Sequence, residues 1–334
     1  LTTIHRITCP IPFALKTVNC YYIQDSVPTL IDTGVNTPEC LEAITSGIRN
    51  AGGSLHGLRR IILTHAHSDH AGLAGRLAHI SGAEVFLHRW DASKIVSDNS
   101  GRPNRFMAHF HDFLISAGTP AALALDMIGT FQKRRNLLIN PLDGVNRLSD
   151  GDIFEFDDFQ LHVFHTPGHS AGSICLYHPT NLVLFSGDTL LQKITPNPVA
   201  EVHPPDDTQG DYQSIPRYME SLAHIAALAA NSILPGHGAA FFNLKKHTDK
   251  LLHHFDHRKK VVIRLMEKEN GNPETSYGLT VYDLSRRMFP GLNGLDVFLG
   301  LSEALAYIQL LELEGRLEIR QKNDIRFYRF SHSA

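Results

Sequence analysis

Cysteine is scarce. The 334 residues hold four, Cys9, Cys20, Cys40 and Cys175, scattered with no CxxC pair. That excludes a small disulfide-stapled secreted domain and fits free buried thiols in a reducing compartment. Also missing is any apolar run near the roughly 20 residues needed to cross a bilayer. The N-terminal stretch has no basic segment leading into an apolar signal core, so a cytoplasmic location without membrane contact is the expectation. Nor does one charge dominate: 31 Lys plus Arg face 34 Asp plus Glu, a formal net charge of -3. No global field gathers nucleic acid or anionic lipid, and any polyanion site must be local. Internal repeats and low-complexity segments are absent as well.

Histidine, by contrast, is abundant, at 21 residues. Several need no special role. His253, His254 and His257 lie among Lys and Asp in a charged helical stretch and read as its solvated face.

Along the first half, short β-branched runs alternate with helical patterns, which marks an α/β domain. Strands are expected at Val18 to Gln24, Thr29 to Asp32, Arg60 to Leu63 and Ala83 to Leu87, with helices at Pro38 to Asn50 and about His70 to Ile80. From Asp91 to Leu148 the texture is helical, with few strand candidates, and reads as an insertion. Strands resume at Gln160 to His165, Ser173 to Tyr177 and Leu182 to Phe185. A helix from Tyr212 to Ala230 and a strand from Ser232 to Leu234 follow, and the first domain is expected to close near Phe242. Beyond Lys246 come three helical stretches, to Asn270, at Val281 to Met288 and at Asp296 to Glu314. A ribbon of Leu317 to Arg320 and Arg326 to Phe330 completes a winged-helix pattern over 246–334.

The chemistry gathers at strand ends. Thr64-His65-Ala66-His67-Ser68-Asp69-His70 directly follows the strand at 60–63 and places four ligand-type side chains in six positions. Imidazole and carboxylate are ligands for zinc and other first-row metals, and a tight turn lets neighbours point at two centres. Three more turns repeat the arrangement: Thr166-Pro167-Gly168-His169-Ser170, Phe185-Ser186-Gly187-Asp188-Thr189 and Leu234-Pro235-Gly236-His237-Gly238. Each sets one ligand type just past a strand, behind a glycine suited to a sharp turn or close backbone approach. A His-rich surface turn accounts for the first motif alone but not for four in register.

With these motifs the sequence resembles the metallo-beta-lactamase superfamily over roughly Ile4 to Phe242. The resemblance implies an αββα sandwich over 1–242, interrupted by the helical insertion at about 91–148. It implies that His65, His67 and His169 hold one divalent metal, that Asp69, His70 and His237 hold a second, and that Asp188 bridges them. Asp32 in Leu30-Ile31-Asp32-Thr33-Gly34 matches the family's earlier Asp, which supports the ligand loop. Zinc suits the donors, with iron or manganese as alternatives. Two cations bridged by a carboxylate lower the pKa of a shared water, so a bridging hydroxide is the expected nucleophile, with Asp69 helping to carry its proton toward the leaving group.

Asp188 separates the chain from true beta-lactamases, which generally lack an Asp there, and His67 separates it from flavodiiron oxidoreductases, which usually carry Glu. The seven residues look like those of glyoxalase II and related thioesterases, of lactonases, and of the superfamily's nucleases. The tail is similar to that of relatives that include an endoribonuclease and acyl-carrier thioesterases. Residues 246–334 carry 14 Lys plus Arg against 12 Asp plus Glu, and Asp296, Glu303, Glu312 and Glu314 set only acids on the helix that would enter a DNA groove. A thioester or ester is therefore expected over single-stranded RNA, with a lactone as a further alternative and a winged-helix nucleic-acid binder as the non-enzyme one. Phe106, Phe110, Phe113, Leu114, Met127, Ile128 and Phe131 are read as core of the insertion or as an apolar lid for a small acyl substrate, and His203 as a candidate substrate contact. The tail is read as a homo-oligomer contact or a brace for the site.

Overall fold

The computed structural model describes residues 3–97, 105–202, 212–269 and 277–331. They form two compact units by internal contact: Leu1–Asn99 with Arg134–Pro196 and Ser221–Thr248, and Ser100–Lys133 with Asn197–Glu220 and Asp249–Ala334.

The first unit contains two sheets. Strands β1 (Thr3–Pro10), β2 (Thr17–Gln24), β3 (Thr29–Ile31), β4 (Arg60–Ile62), β5 (Glu84–His88) and β6 (Asn146–Leu148) pair in that order. From β3 to β6 the pairing is parallel. Strands β7 (Ile153–Glu155), β8 (Gln160–His165), β9 (Ile174–His178), β10 (Val183–Gly187) and β11 (Ser232–Pro235) form the second sheet. There β8 and β10 each run antiparallel to β9, and β11 runs parallel to β10. Strands β8, β10 and β11 thus end on one edge, as do β3, β4 and β5 on theirs. Carboxyl ends of parallel strands are where α/β sheets gather ligands.

Strand β2 is apolar on both faces because both are covered. Tyr21 and Ile23 face inward with Ile31, Ile62, Leu161, Val163, Ile174, Leu176 and Phe185 in the core between the sheets, and the Tyr21 and Phe185 rings meet edge-on at 5.2 Å. Cys20 and Tyr22 face outward into a second core, built with Ile44 and Ile48 of α1 (Pro38–Asn50) and Leu77 of α3 (Ala74–Ser81). Helix α1 starts where Thr37 accepts a hydrogen bond from the Cys40 N–H and Pro38 stands at the first helical position, both favourable at an N-terminus. Over the outer face of the second sheet, His224 near the end of α7 (Ser214–Ala226) lies 5.3 Å from the Phe164 ring. The result is helix, sheet, sheet, helix.

The helix expected at about 70–80 is two: α2 (Ser68–Ala71) ends before α3 begins. Between them the Leu73 N–H donates to Gly34 and the Gly72 carbonyl accepts from the Asn140 N–H, which diverts the backbone from helical pairing. The stretch read as helical to Leu148 carries a short α4 (Ala92–Ile95), then α5 (Arg105–Ser116) and α6 (Ala121–Leu138), and it also ends in strand β6. All four cysteines are free and buried. Among the described residues no helix is long and apolar enough to cross a membrane.

The second unit joins α5 and most of α6 to the C-terminal segment: most of α8 (Leu244–Glu269), with α9 (Val281–Met288), α10 (Asp296–Leu313) and the ribbon β12 (Leu317–Lys322) with β13 (Ile325–Phe330). Phe110, Phe113 and Phe131 surround Phe298 of α10 at ring distances of 5.3, 6.1 and 6.4 Å. Phe110 and Phe113 of α5 thus serve the unit's own core; of the Phe106 side chain nothing is described. Two acids of this segment meet cations of α8, Glu303 with Arg258 at 3.1 Å and Glu314 with Lys259 at 2.9 Å. Phe110 is fully buried, so Phe110→Ala should cost about 3 to 5 kcal/mol. Urea denaturation measures this, and an unchanged midpoint would remove Phe110 from the core.

Candidate metal centre

All seven ligand-type residues meet at the carboxyl ends of the strands. His65 leaves β4; His67 stands at the start of α2, which carries Asp69 and His70; His169, Asp188 and His237 follow β8, β10 and β11. Their donor atoms form three overlapping groups, His65 with His67 and His169, His65 with His70 and Asp188, and Asp69 with His70 and His237, each within 4.8 Å. His65 thus belongs to both the first cluster and the one containing Asp188. The Nδ1 of His67 lies 3.0 Å from Nε2 of both His65 and His169. Asp188 stands between the halves, with Oδ2 3.8 Å from His169 Nε2 and 3.4 Å from His237 Nε2 and Oδ1 3.5 Å from His70 Nε2. Asp69 Oδ2 lies 3.3 Å from His237 Nε2.

Hydrogen bonds behind the rings decide what faces the centre. The Asp32 carboxylate accepts from the Thr64 N–H at 2.7 Å, from Thr64 Oγ1 at 2.8 Å and from His70 Nδ1 at 2.8 Å. Because Thr64 gives its hydroxyl proton to Asp32, its oxygen accepts from His65 Nδ1, 3.1 Å away. His237 Nδ1 donates to the Thr17 carbonyl at 2.6 Å. With Nδ1 carrying a proton on these three rings, Nε2 is the nitrogen that each turns inward, bare whenever the ring is neutral. Inward-facing lone pairs beside the Asp69 and Asp188 carboxylates form a buried cluster of acceptors that calls for a cation. That donor set fits a pair of divalent metals.

Charge divides the cluster. Burial, reinforced by His169, pulls His67 down to about 3. Burial, with His70, His67 and His169 close by, holds His65 well below the usual histidine range. In the other half burial opposes charge on His70, but Asp188, Asp32 and Asp69 outweigh it and raise its pKa well above that range. Against the same penalty, Asp188 and Asp69 push His237 up to about 10. The acidic half therefore attracts positive charge, as protons or as a cation.

Glycines make room for this density. A Cβ on Gly236 would strike Asp188 Oδ1 and come within 2.6 Å of His70 Cε1. Gly187 has φ of +47, and a Cβ there would lie 2.8 Å from Thr64. The His237 turn is also anchored to β2. Asn19 donates through Nδ2 to the carbonyls of Pro235 at 3.0 Å and Gly238 at 2.8 Å, and the Tyr21 hydroxyl donates to Pro235 at 2.7 Å. Thr64, Asn19, Tyr21 and the Thr17 carbonyl are not legible as site residues in the sequence. Thr64 alone carries a signal, adjacency to His65. His165, four residues before His169 and not among the ligands expected from the sequence, stacks on His88 at 3.7 Å and reaches the Ala171 carbonyl through Nε2 at 2.8 Å. His203 lies outside the described residues.

Residues 15–237 match the family described as the metallo-beta-lactamase superfamily. The chain is 26% identical to a probable metallo-hydrolase of Bacillus subtilis, YqjP, over 317 residues, 92% of each protein. It resembles the crystal structure of a metallo-beta-lactamase family protein from Thermus thermophilus with a TM-score of 0.81 at 26% identity, covering 98% of both chains. It is also 30% identical over 129 residues to the acyl-coenzyme A thioesterase MBLAC2 of Gallus gallus, 39% of this chain and 40% of that protein.

Thr64→Val keeps side-chain shape but removes both the acceptor for His65 Nδ1 and a donor to Asp32. Losses of such outer hydrogen bonds typically lower metal affinity about 10- to 100-fold. Competition against a chromophoric chelator, with circular dichroism as the fold control, should show that drop; wild-type affinity would mean Thr64 does not set the His65 tautomer.

Proposed function

The chain belongs to the metallo-beta-lactamase superfamily, and on that premise we propose that it is a dinuclear metal-dependent hydrolase acting on an acyl thioester or ester. The observation that carries the proposal is the set of inward Nε2 lone pairs, fixed by Asp32, Thr64 and the Thr17 carbonyl and facing Asp69 and Asp188. His65, His67 and His169 would hold one ion and Asp69, His70 and His237 the other, with Asp188 shared; zinc suits these donors, and iron or manganese also match them. When bound, such ions activate water and stabilise developing negative charge.

The chain's own part is to hold this geometry and move a proton. Asp188 is 9% exposed by side chain and takes its place between the two groups through His70, His169 and His237. Asp69 keeps 17% of its side-chain surface open, and its carboxylate is the one we assign to carry the proton from the attacking water toward the leaving group. Support for an acyl substrate comes from the partial similarity to the avian acyl-coenzyme A thioesterase. Phe110, Phe113 and Phe131 do not contribute to that choice, since they pack on Phe298.

We read the second unit's C-terminal helices and ribbon as a winged helix that braces the enzyme or joins two copies. Its Glu303 and Glu314 are spent on Arg258 and Lys259, which suits internal bracing better than a nucleic-acid groove. The intact protein should show no steep salt-dependent affinity for duplex DNA in fluorescence anisotropy; a steep salt slope would reassign the tail.

The purified protein should contain about two transition-metal ions per chain and hydrolyse an acyl thioester faster than single-stranded RNA or a lactone. Asp188→Ala should lower metal content and cut kcat/KM by more than about 100-fold, beyond the usual cost of outer hydrogen bonds. RNA cleavage that outpaces every thioester and vanishes in His67→Ala would make the endoribonuclease alternative the better assignment.

A further inference from the structure

Asp91 follows β5, and in the sequence it reads only as the first residue of a helical insertion. It is fully buried. Its Oδ2 accepts from the Ala66 N–H at 2.9 Å and from Ser170 Oγ at 2.6 Å. Its Oδ1 accepts from the Gly172 N–H at 2.9 Å and from Lys94 Nζ at 2.6 Å. Ala66 stands between His65 and His67, and Ser170 follows His169, so a single carboxylate holds both loops that bring these three imidazoles together. Packing closes in from the same side: a Cβ on Gly172 would fall 2.6 Å from Asp91 Cβ and Cγ.

The other half of the centre is supported elsewhere. His70 leans on Asp32, and His237 leans on the Thr17 carbonyl in a turn pinned by Asn19 and Tyr21. None of those bonds involves Asp91.

We propose that Asp91 is a positioning residue that sets the spacing of His65 and His67 from His169, and thereby controls one metal site independently of its neighbour. Four donors converge on it, two on each oxygen. An ionised carboxylate has the acceptor capacity for all four, whereas Asn would turn an NH2 group toward one of those pairs of donors. Lys94 balances the buried charge and comes from α4, outside both ligand loops.

The inference rests on the dinuclear reading, and the test separates the two. Wild type, Asp91→Asn and Lys94→Met would be titrated with Co²⁺, following the visible absorption of each site and competition with a chelator, with thermal unfolding measured in parallel. Wild type should fill two sites. Asp91→Asn should weaken one by about tenfold or more, the range of losses for such supporting hydrogen bonds, and leave the other within about twofold; Lys94→Met, which removes one donor and the balancing charge, should weaken the same site by a smaller factor. Should Asp91→Asn fail to fold, Ser170→Ala, which removes one of the four contacts, must weaken the same single site by a smaller factor. Two wild-type sites that respond equally to these substitutions, or not at all, overturn the role of Asp91 alone. A wild-type chain that binds no Co²⁺, or only one ion, overturns the dinuclear reading itself and this inference with it.

Discussion

The Asp32 carboxylate is the constraint on which the centre depends. Asp32 sits just beyond β3 with φ of 58, a left-handed conformation that Asp tolerates better than most side chains. That turn points its carboxylate sideways at the loop leaving β4, where Thr64 and His70 converge on it. Through Thr64 it governs His65, and directly it governs His70, so one buried anion orients two rings that meet in the group with Asp188 and reach separately into the other two. Any residue without two accepting oxygens here would release at least one imidazole to rotate or to change tautomer.

The rest of the fold serves to bring short loops to that anion. Strands β3, β4 and β5 are parallel neighbours, and β8, β10 and β11 share a direction in the facing sheet. The inter-sheet core of Tyr21, Ile31, Ile62, Ile174 and Phe185 holds the two strand edges in place. Burying each such side chain contributes roughly 1.5 to 3 kcal/mol, and that packing offsets the desolvation of several charged groups gathered at one end.

Local patterns in the sequence carry the elements with strong caps or long periodicity. Helices Pro38–Asn50 and Val281–Met288 fall on the expected residues, the second because Thr280 and Asp283 form a reciprocal cap. Strands β1 and β7 are not anticipated by the sequence, and β6 falls inside the stretch read as helical. β6 and β7 have three residues each, too few for a period to show. The candidate ligand residues are legible because they sit in compact turns of His, Asp and Gly. Their supports are not: the Thr17 carbonyl has no side-chain signature, and Asn19 reaches Pro235 across 216 positions. Nor can local pattern reveal that Phe110, Phe113 and Phe131 pack on Phe298, since pairing of distant apolar stretches depends on the tertiary fold.

The centre lies where the loops leaving β4, β8, β10 and β11 converge, with donor atoms 3.0 to 3.8 Å apart across it. A side chain leaving the end of one strand needs little loop to meet another from a neighbouring strand, and the facing sheet closes the group from the opposite side. Short, glycine-containing turns such as Pro235-Gly236-His237-Gly238 are therefore sufficient, and their backbones can be pinned by single hydrogen bonds from β2. Asp188 is the point where this geometry and the charge distribution coincide: it lies between imidazoles kept neutral by burial and imidazoles whose positive charge is favoured by carboxylates. A carboxylate there faces both environments, one oxygen toward His70 and the other toward His169 and His237, and a neutral ligand at the same position would leave the two halves without a shared counter-charge.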